Sequence, residues 1–131
     1  MKLRDKVAII VGGASGMGRE TSYELAAEGA KVVVCDKDID GTQETVKQIK
    51  GREQQAIALH TDLTKMEDIK KLIQVTLEEF KEINILVVTA GIGRFTPFLE
   101  ISKEEWVKII EVNLNGVFYV SQAIAKVMVD Q

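Results

Sequence analysis

Short β-branched apolar runs alternate with helical patterns from one end of the chain to the other. The apolar runs are residues Val7–Val11, Lys31–Cys35, Ala56–Leu59 and Asn84–Thr89. A run that is apolar on both faces is typical of a buried strand in a parallel sheet. The helical patterns between the runs have the length needed for crossovers from one parallel strand to the next. The sequence therefore predicts a parallel α/β sheet with helices on its faces.

A glycine-rich turn joins the first predicted strand to the first predicted helix. It reads Gly12-Gly13-Ala14-Ser15-Gly16-Met17-Gly18. Small residues let the backbone approach a phosphate closely, and the free N–H groups of a helix N-terminus attract its negative charge. The spacing differs from the common G-x-G-x-x-G fingerprint, and no Gly-Lys-Ser/Thr follows, so the turn is not a Walker-type P-loop. A phosphate-binding turn is the interpretation that we favour, and a plain tight turn is the alternative.

Acidic residues follow the second and third predicted strands. Asp36 stands where a carboxylate in a doubly wound sheet accepts hydrogen bonds from the adenosine ribose hydroxyls. It would repel the extra phosphate of NADP, which favours NAD, although the neighbouring Lys37 could tolerate a phosphate. Asp62 could bond an adenine amino group, and a simple turn or helix-start role fits it equally well.

The composition excludes several other classes of protein. The formal net charge is −3 and no basic block occurs, which argues against nucleic acid or an anionic membrane as partner. One cysteine, Cys35, and one histidine, His60, are too few for a zinc site or a metal cluster. No run approaches the roughly 20 apolar residues of a membrane span, so we expect a cytoplasmic location.

Taken together, these residues resemble the short-chain dehydrogenase/reductase family. The resemblance rests on the glycine turn, Asp36, Asp62-Leu63, Ala90-Gly91 and the segment from Val112 to Phe118. It implies a Rossmann-like doubly wound sheet, truncated to about four strands in the order 3-2-1-4. Residues 1–131 would form a single, partial dinucleotide-binding domain. Members of the family transfer hydride between a nicotinamide cofactor and an alcohol or carbonyl.

The resemblance also implies the positions of the cofactor-binding residues. They are Gly12, Ser15, Gly16, Met17, Gly18, Asp36, Asp62, Leu63, Ala90 and Gly91. The glycine turn would line the pyrophosphate and Asp36 would bind the adenosine ribose. Asp62 and Leu63 would flank the adenine, with Ala90 and Gly91 against the central part of the cofactor. Asn113 matches the asparagine that helps to hold the catalytic lysine and its water.

Two neighbouring positions depart from the family pattern. Val11 stands where the family usually has threonine, and Val88-Thr89 replaces a pair of asparagines. In the family these two sites exchange hydrogen bonds across adjacent strands. Our hypothesis is that the Thr89 hydroxyl takes over the contact to the backbone near Gly12.

A third departure concerns the catalytic residues. The family uses a serine together with Tyr-x-x-x-Lys, but Tyr23 and Tyr119 are followed four residues later by Ala27 and Ala123. The sequence ends at Gln131, before the strand that would carry the serine. We expect a cofactor-binding portion that is inactive alone. The alternatives are a non-catalytic dinucleotide-binding or assembly module and a structural remnant that binds nothing.

The last segment carries apolar residues on two sides of a helix. No charged residue occurs from Val112 to Ala125. We assign Leu114, Phe118 and Ile124 to one stripe, and Val120 and Val127 to the other. One stripe would pack on the sheet and the other would need a partner. We therefore expect a homo-oligomer formed through this helix.

Smaller features predict helix starts and core positions. Thr64 with Glu67, and Ser102 with Glu105, have the spacing of capping boxes. Trp106 and Phe80 are predicted core residues, and Cys35 a small buried one.

Overall fold

Four parallel strands form one sheet in a computed structural model that describes all 131 residues. The strands are β1 (Val7–Val11), β2 (Lys31–Asp36), β3 (Ala56–His60) and β4 (Ile85–Val88). Their order across the sheet is β3-β2-β1-β4. This arrangement confirms the predicted Rossmann-like fold and strand order.

Helices connect the strands and cover both faces of the sheet. They are α1 (Gly16–Ala27), α2 (Ile39–Lys50), α3 (Met66–Phe80), α4 (Lys103–Ile110) and α5 (Val117–Asp130). A short 3-10 turn spans Phe98–Glu100, and a π-helical segment, Glu111–Gly116, joins α4 to α5. None of these helices combines the length and the apolar character that crossing a membrane requires.

The pairing register brings the carboxyl ends of the strands to one edge of the sheet. Val11 lies opposite Cys35 on one side and Val88 on the other, and Asp36 lies opposite His60. In open parallel sheets this edge is where ligands bind.

Two apolar clusters stabilise the two faces of the sheet, because successive strand residues point to opposite sides. Ile9, Val11, Val33 and Cys35 pack with residues of α3 and α5. On the other face, Ala8, Ile10, Val32 and Val34 pack with residues of α1 and α2. Cys35 is fully buried, as predicted, and its burial raises the pKa of the thiol to about 12.

The predicted capping boxes are only partly present. At α3 the prediction is wrong, because the Thr64 hydroxyl donates to Asp62 Oδ1 at 2.7 Å and Lys65, which makes no side-chain cap, precedes the helix. The Thr64 hydroxyl is turned toward Asp62, and no N–H group of α3 donates to it. At α4, Ser102 Oγ accepts from Glu105 N at 3.1 Å, but the Glu105 carboxylate accepts from Thr96 Oγ1 instead of capping in return.

Two expectations about apolar side chains are also wrong. Trp106 is 58% exposed, not core, whereas Phe80 does pack against the first cluster. Ile124 is fully buried beside Val120 and does not share the stripe of Leu114 and Phe118, which stay exposed. Val120 and Ile124 are four residues apart in α5 and so lie on one face of the helix, whereas Phe118 is six residues from Ile124, about a third of a turn away around the helix.

Candidate functional site

A cavity of about 450 Å³ lies at the carboxyl edge of the sheet. Its wall includes residues that follow each of the four strands. All ten residues predicted to bind a cofactor line it: Gly12, Ser15, Gly16, Met17, Gly18, Asp36, Asp62, Leu63, Ala90 and Gly91. Lys37, Asp38, Thr61, Thr89, Ile92 and Val112 also contribute to the wall. Asn113 does not line the cavity, but it contacts the loop that does.

The glycine turn brings β1, α1 and the end of β4 into close contact. Gly12 has φ +93°, and a Cβ there would lie 2.5 Å from Ala90 N. A Cβ on Gly18 would overlap the carbonyl oxygen of Gly12. At both positions the packing of one backbone against another therefore excludes any side chain.

Gly16 differs from these two glycines because open space surrounds it. Its φ is +52°, a left-handed conformation that favours glycine, and a Cβ there would meet no atom within 4 Å. Any side chain at this position would fill space at the wall of the cavity. The turn thus keeps a cradle open at the start of α1.

The N-terminus of α1 is available to an anion. Ser15 makes no side-chain cap, and the first turn holds no acidic residue. The N–H groups of Gly16, Met17 and Gly18 donate to no protein acceptor. A helix start with free donors and the positive end of its dipole is complementary to a phosphate. The cradle and these donors fit a dinucleotide diphosphate.

Asp36 links the end of β2 to the glycine turn. Its Oδ2 accepts from Ala14 N at 3.3 Å, and its Oδ1 accepts from Asp38 N at 3.1 Å. Asp38 in turn caps α2 by accepting from Gly41 N at 3.0 Å. These hydrogen bonds hold the carboxylate at the cavity wall. No cation lies within ion-pair distance of it, so no ion pair neutralises its negative charge.

Arg19 supports the turn from behind, a role that the sequence analysis missed. Its guanidinium donates to Ala14 O and to Thr45 Oγ1, the latter at 3.0 Å. Thr45 is buried and its hydroxyl donates to Gly13 O at 2.9 Å. In the sequence, Thr45 is only a polar residue beside the apolar face of α2. Nothing in the sequence indicates that Arg19 is its partner.

The Asp62 carboxylate is held by three groups from two residues, Thr64 on the loop after β3 and Lys37 on the loop after β2. Its Oδ1 accepts from Thr64 N at 3.0 Å and from the Thr64 hydroxyl, and its Oδ2 lies 3.6 Å from Lys37 Nζ. Burial raises the pKa of this carboxyl, but the Thr64 hydrogen bonds and the Lys37 charge outweigh it and leave the pKa below its ordinary value. Asp62 is therefore charged at neutral pH. Asp62 therefore both stabilises the turn before α3 and lines the cavity.

The cross-strand hypothesis for Thr89 is confirmed. Its hydroxyl lies 3.1 Å from Val11 O and 3.3 Å from Gly12 O, as a donor to both carbonyl oxygens. The hydroxyl of Thr89, directly after β4, thus makes a cross-strand contact that the side chain of Val11, which has no hydroxyl, cannot make.

Asn113 fixes the loop that follows β4. Its Oδ1 accepts from Ile92 N at 2.8 Å and its Nδ2 donates to Ile92 O at 2.7 Å. Asn113 lies in the π-helical segment, a kind of helix that occurs frequently at functional sites. Its amide therefore ties that segment to the cavity wall.

Known proteins share this arrangement of sequence and fold. The family model for short chain dehydrogenase matches residues 6–131. The chain is 35% identical to the uncharacterized oxidoreductase Lmo0432 of Listeria monocytogenes over 89% of this chain and 47% of that protein. It is also 35% identical to an L-rhamnose-1-dehydrogenase of Scheffersomyces stipitis, over 98% of this chain and 52% of that protein. A 3-oxoacyl-[acyl-carrier-protein] reductase of Synechocystis is again 35% identical, over 98% of this chain and 53% of that protein.

A solved structure agrees with these relatives. The crystal structure of a short-chain type dehydrogenase/reductase from Mycobacterium marinum matches with a TM-score of 0.96 and 32% identity, covering 99% of this chain and 53% of that one. The chain spans about half the length of the curated relatives it matches. It belongs to the short-chain dehydrogenase/reductase family, whose members are oxidoreductases that bind a nicotinamide dinucleotide.

Proposed function

We propose that residues 1–131 are the NAD-binding portion of an oxidoreductase that acts on an alcohol or a carbonyl. The observation that carries this proposal is the placement of the uncapped N-terminus of α1 and the unpaired carboxylate of Asp36 on one cavity. A diphosphate and a ribose diol are complementary to these two groups. NAD, when bound, supplies a ring carbon that accepts or donates hydride.

In this proposal, each part of the cavity binds a different part of NAD. Gly12, Ser15, Gly16, Met17 and Gly18 bind the diphosphate through backbone donors and open space. Asp36 accepts hydrogen bonds from the ribose hydroxyls. Asp62 and Leu63 flank the adenine, and Ala90 and Gly91 lie along the central part. Asn113 keeps the loop of Ile92 in place and, in a complete site, orients the catalytic lysine and its water.

Asp36 is the reason for preferring NAD to NADP. Its charge is not neutralised by any neighbouring cation. A phosphate on the adjacent ribose hydroxyl would place like charges close together in a partly desolvated cavity wall, which is unfavourable. The ribose hydroxyls of NAD instead offer donors to the carboxylate.

We also propose that a polypeptide of these 131 residues binds the cofactor without turning over a substrate. Neither tyrosine lines the cavity: Tyr119 packs against the first apolar cluster, and the ring of Tyr23 lies 5.2 Å from the Arg52 guanidinium carbon. Neither is followed by a lysine at the spacing that the family uses.

The substitution Asp36→Ala should weaken NAD binding by about tenfold or more, because hydrogen bonds to a charged acceptor contribute about 1.5–3 kcal/mol. Isothermal titration calorimetry would measure the Kd, with circular dichroism to verify the fold. Asp40→Ala is the matched control, since Asp40 is exposed on the first turn of α2 and does not line the cavity.

Three results would contradict the proposal. The first part fails if the unsubstituted chain shows no saturable NAD binding, or if Asp36→Ala binds NAD as tightly as the control does. Oxidation of an alcohol or reduction of a ketone by the 131-residue polypeptide would refute the second part, that it binds without turnover.

We further propose that α5 and the segment before it mediate homo-oligomer formation. Leu114, Phe118 and Val129 are 61%, 56% and 84% exposed along one side of this region. Trp106 and Val107 of α4 are exposed as well. An apolar surface of this kind is complementary to a second copy of itself about a two-fold axis.

The double substitution Leu114→Lys/Phe118→Lys should convert the oligomer to a monomer, because it places four lysines in a two-fold interface. Light scattering coupled to size-exclusion chromatography would give the mass. Gln48→Lys/Gln74→Lys makes the same charge change on exposed positions of α2 and α3 and should leave the mass unaltered. A monomeric unsubstituted chain, or a double variant that still assembles, would refute the interface.

A further inference from the structure

An ion pair connects the loops after β2 and β3 at the cavity wall. Lys37 Nζ lies 3.6 Å from Asp62 Oδ2. The lysine side chain is 60% exposed and the aspartate side chain only 10%. The long, flexible partner therefore reaches across to a carboxylate that the protein holds in place.

The position of Asp62 is fixed independently of Lys37. Thr64 gives its Oδ1 two hydrogen bonds, from the backbone N–H and from the hydroxyl. Only Oδ2 of Asp62 is left to pair with Lys37. The ion pair places the Lys37 ammonium on the β3 side of the cavity.

Asp36, the residue immediately before Lys37, forms no ion pair. No ion pair joins Lys37 to Asp36, although Lys37 is the one cation in the cavity wall. The ammonium of this cation pairs with Asp62 across the cavity wall and not with Asp36.

We propose that Asp62 is a second determinant of cofactor choice, acting through Lys37: by holding the Lys37 ammonium, it withholds a cation from the 2′-position of the adenosine ribose. Asp62 is a positioning residue in this role. The inference rests on the proposed function, because it concerns the ribose bound beside Asp36.

The substitution Asp62→Asn tests this role with little change in shape. Asparagine keeps an oxygen that can accept from Thr64 but loses the charge that holds Lys37. The released ammonium can then approach a 2′-phosphate. The ligands are 5′-AMP and 2′,5′-ADP, which differ only in that phosphate, so any effect of Asp62 on adenine itself cancels in the ratio of their Kd values.

The ratio of the Kd for 2′,5′-ADP to that for 5′-AMP should fall about fivefold in Asp62→Asn, the size expected for one partly exposed ion pair. Calorimetric titration at low ionic strength gives the largest effect, because salt screens exposed charges. The same substitution in a Lys37→Ala background should leave the ratio unchanged. A general loss of negative charge at the cavity would lower the ratio in both backgrounds.

The possible outcomes separate this inference from the proposed function. If the unsubstituted chain binds neither 5′-AMP nor NAD, the proposed function fails and the inference with it. If 5′-AMP binds and the ratio stays constant in Asp62→Asn, or falls equally with Lys37→Ala present, the inference alone is overturned. Asp62→Ser, which also removes the charge, gives the same test should Asp62→Asn fail to fold.

Discussion

The substitution Gly18→Ala should destabilise the chain by about 3 kcal/mol or more, as expected when added atoms meet a rigid, close-packed backbone. Its new methyl group would overlap the carbonyl oxygen of Gly12 and lie 2.6 Å from Thr89 Oγ1. Relief requires α1 to move away from β1 and β4, which would also open the diphosphate site. Urea denaturation would measure the loss, and NAD titration should show no saturable binding.

Two other glycines provide matched controls for Gly18→Ala. Gly51→Ala meets nothing closer than 3.3 Å in a right-handed helical conformation, so the free energy of unfolding should change by only a few tenths of a kcal/mol. Gly16→Ala strains a residue with φ +52° by about 1 kcal/mol but clashes with nothing, so it should fold and yet bind NAD weakly. If Gly18→Ala proved as stable as Gly51→Ala, the close contact of turn and strand would be wrong.

Much of the fold could be predicted from the sequence because the two central strands, β1 and β2, are buried on both faces and the two edge strands carry apolar runs of the same kind. In an apolar run such as Val7–Val11 every side chain is apolar, which is typical of a strand covered on both faces, and the glycines after the run mark its end. Parallel pairing then fixes which loops share an edge of the sheet. The order of the strands came from the family resemblance, since periodicity alone does not say which neighbours pair.

The cavity wall could be predicted for a related reason. Asp36 ends β2, and Asp62 and Ala90 come two residues after β3 and β4, so parallel pairing brings all three to one edge of the sheet. The contacts of Lys37 and Arg19 could not be predicted in the same way. Each depends on where a long, flexible side chain finds an acceptor on another loop, and spacing along the chain carries no information about that.

Predictions that relied on local sequence patterns were wrong where contacts with other parts of the chain decided the outcome. Thr64 had the spacing of a helix cap, but Asp62 offered its hydroxyl a charged acceptor two residues away. Trp106 was predicted to be core from its residue type alone, yet α4 has no buried residue. Burial depends on whether an element lies against the sheet, and α4 touches mainly the π-helical segment beside it.

Ile124→Ala should lower the free energy of unfolding by about 3 kcal/mol, within the range for removing a large aliphatic side chain from a packed core. Ile124 is fully buried in the cluster that also holds Val11, Leu72 and Val120, so its removal leaves a cavity between α5 and the sheet. Lys126→Ala is the control, because Lys126 is exposed on the same helix, is not among the side chains proposed for the interface, and its substitution should cost almost nothing. A loss below about 1 kcal/mol for Ile124→Ala would mean that α5 is not firmly packed on the sheet. The π-helical segment would then lack the anchor that lets Asn113 hold the loop of Ile92 at the cavity.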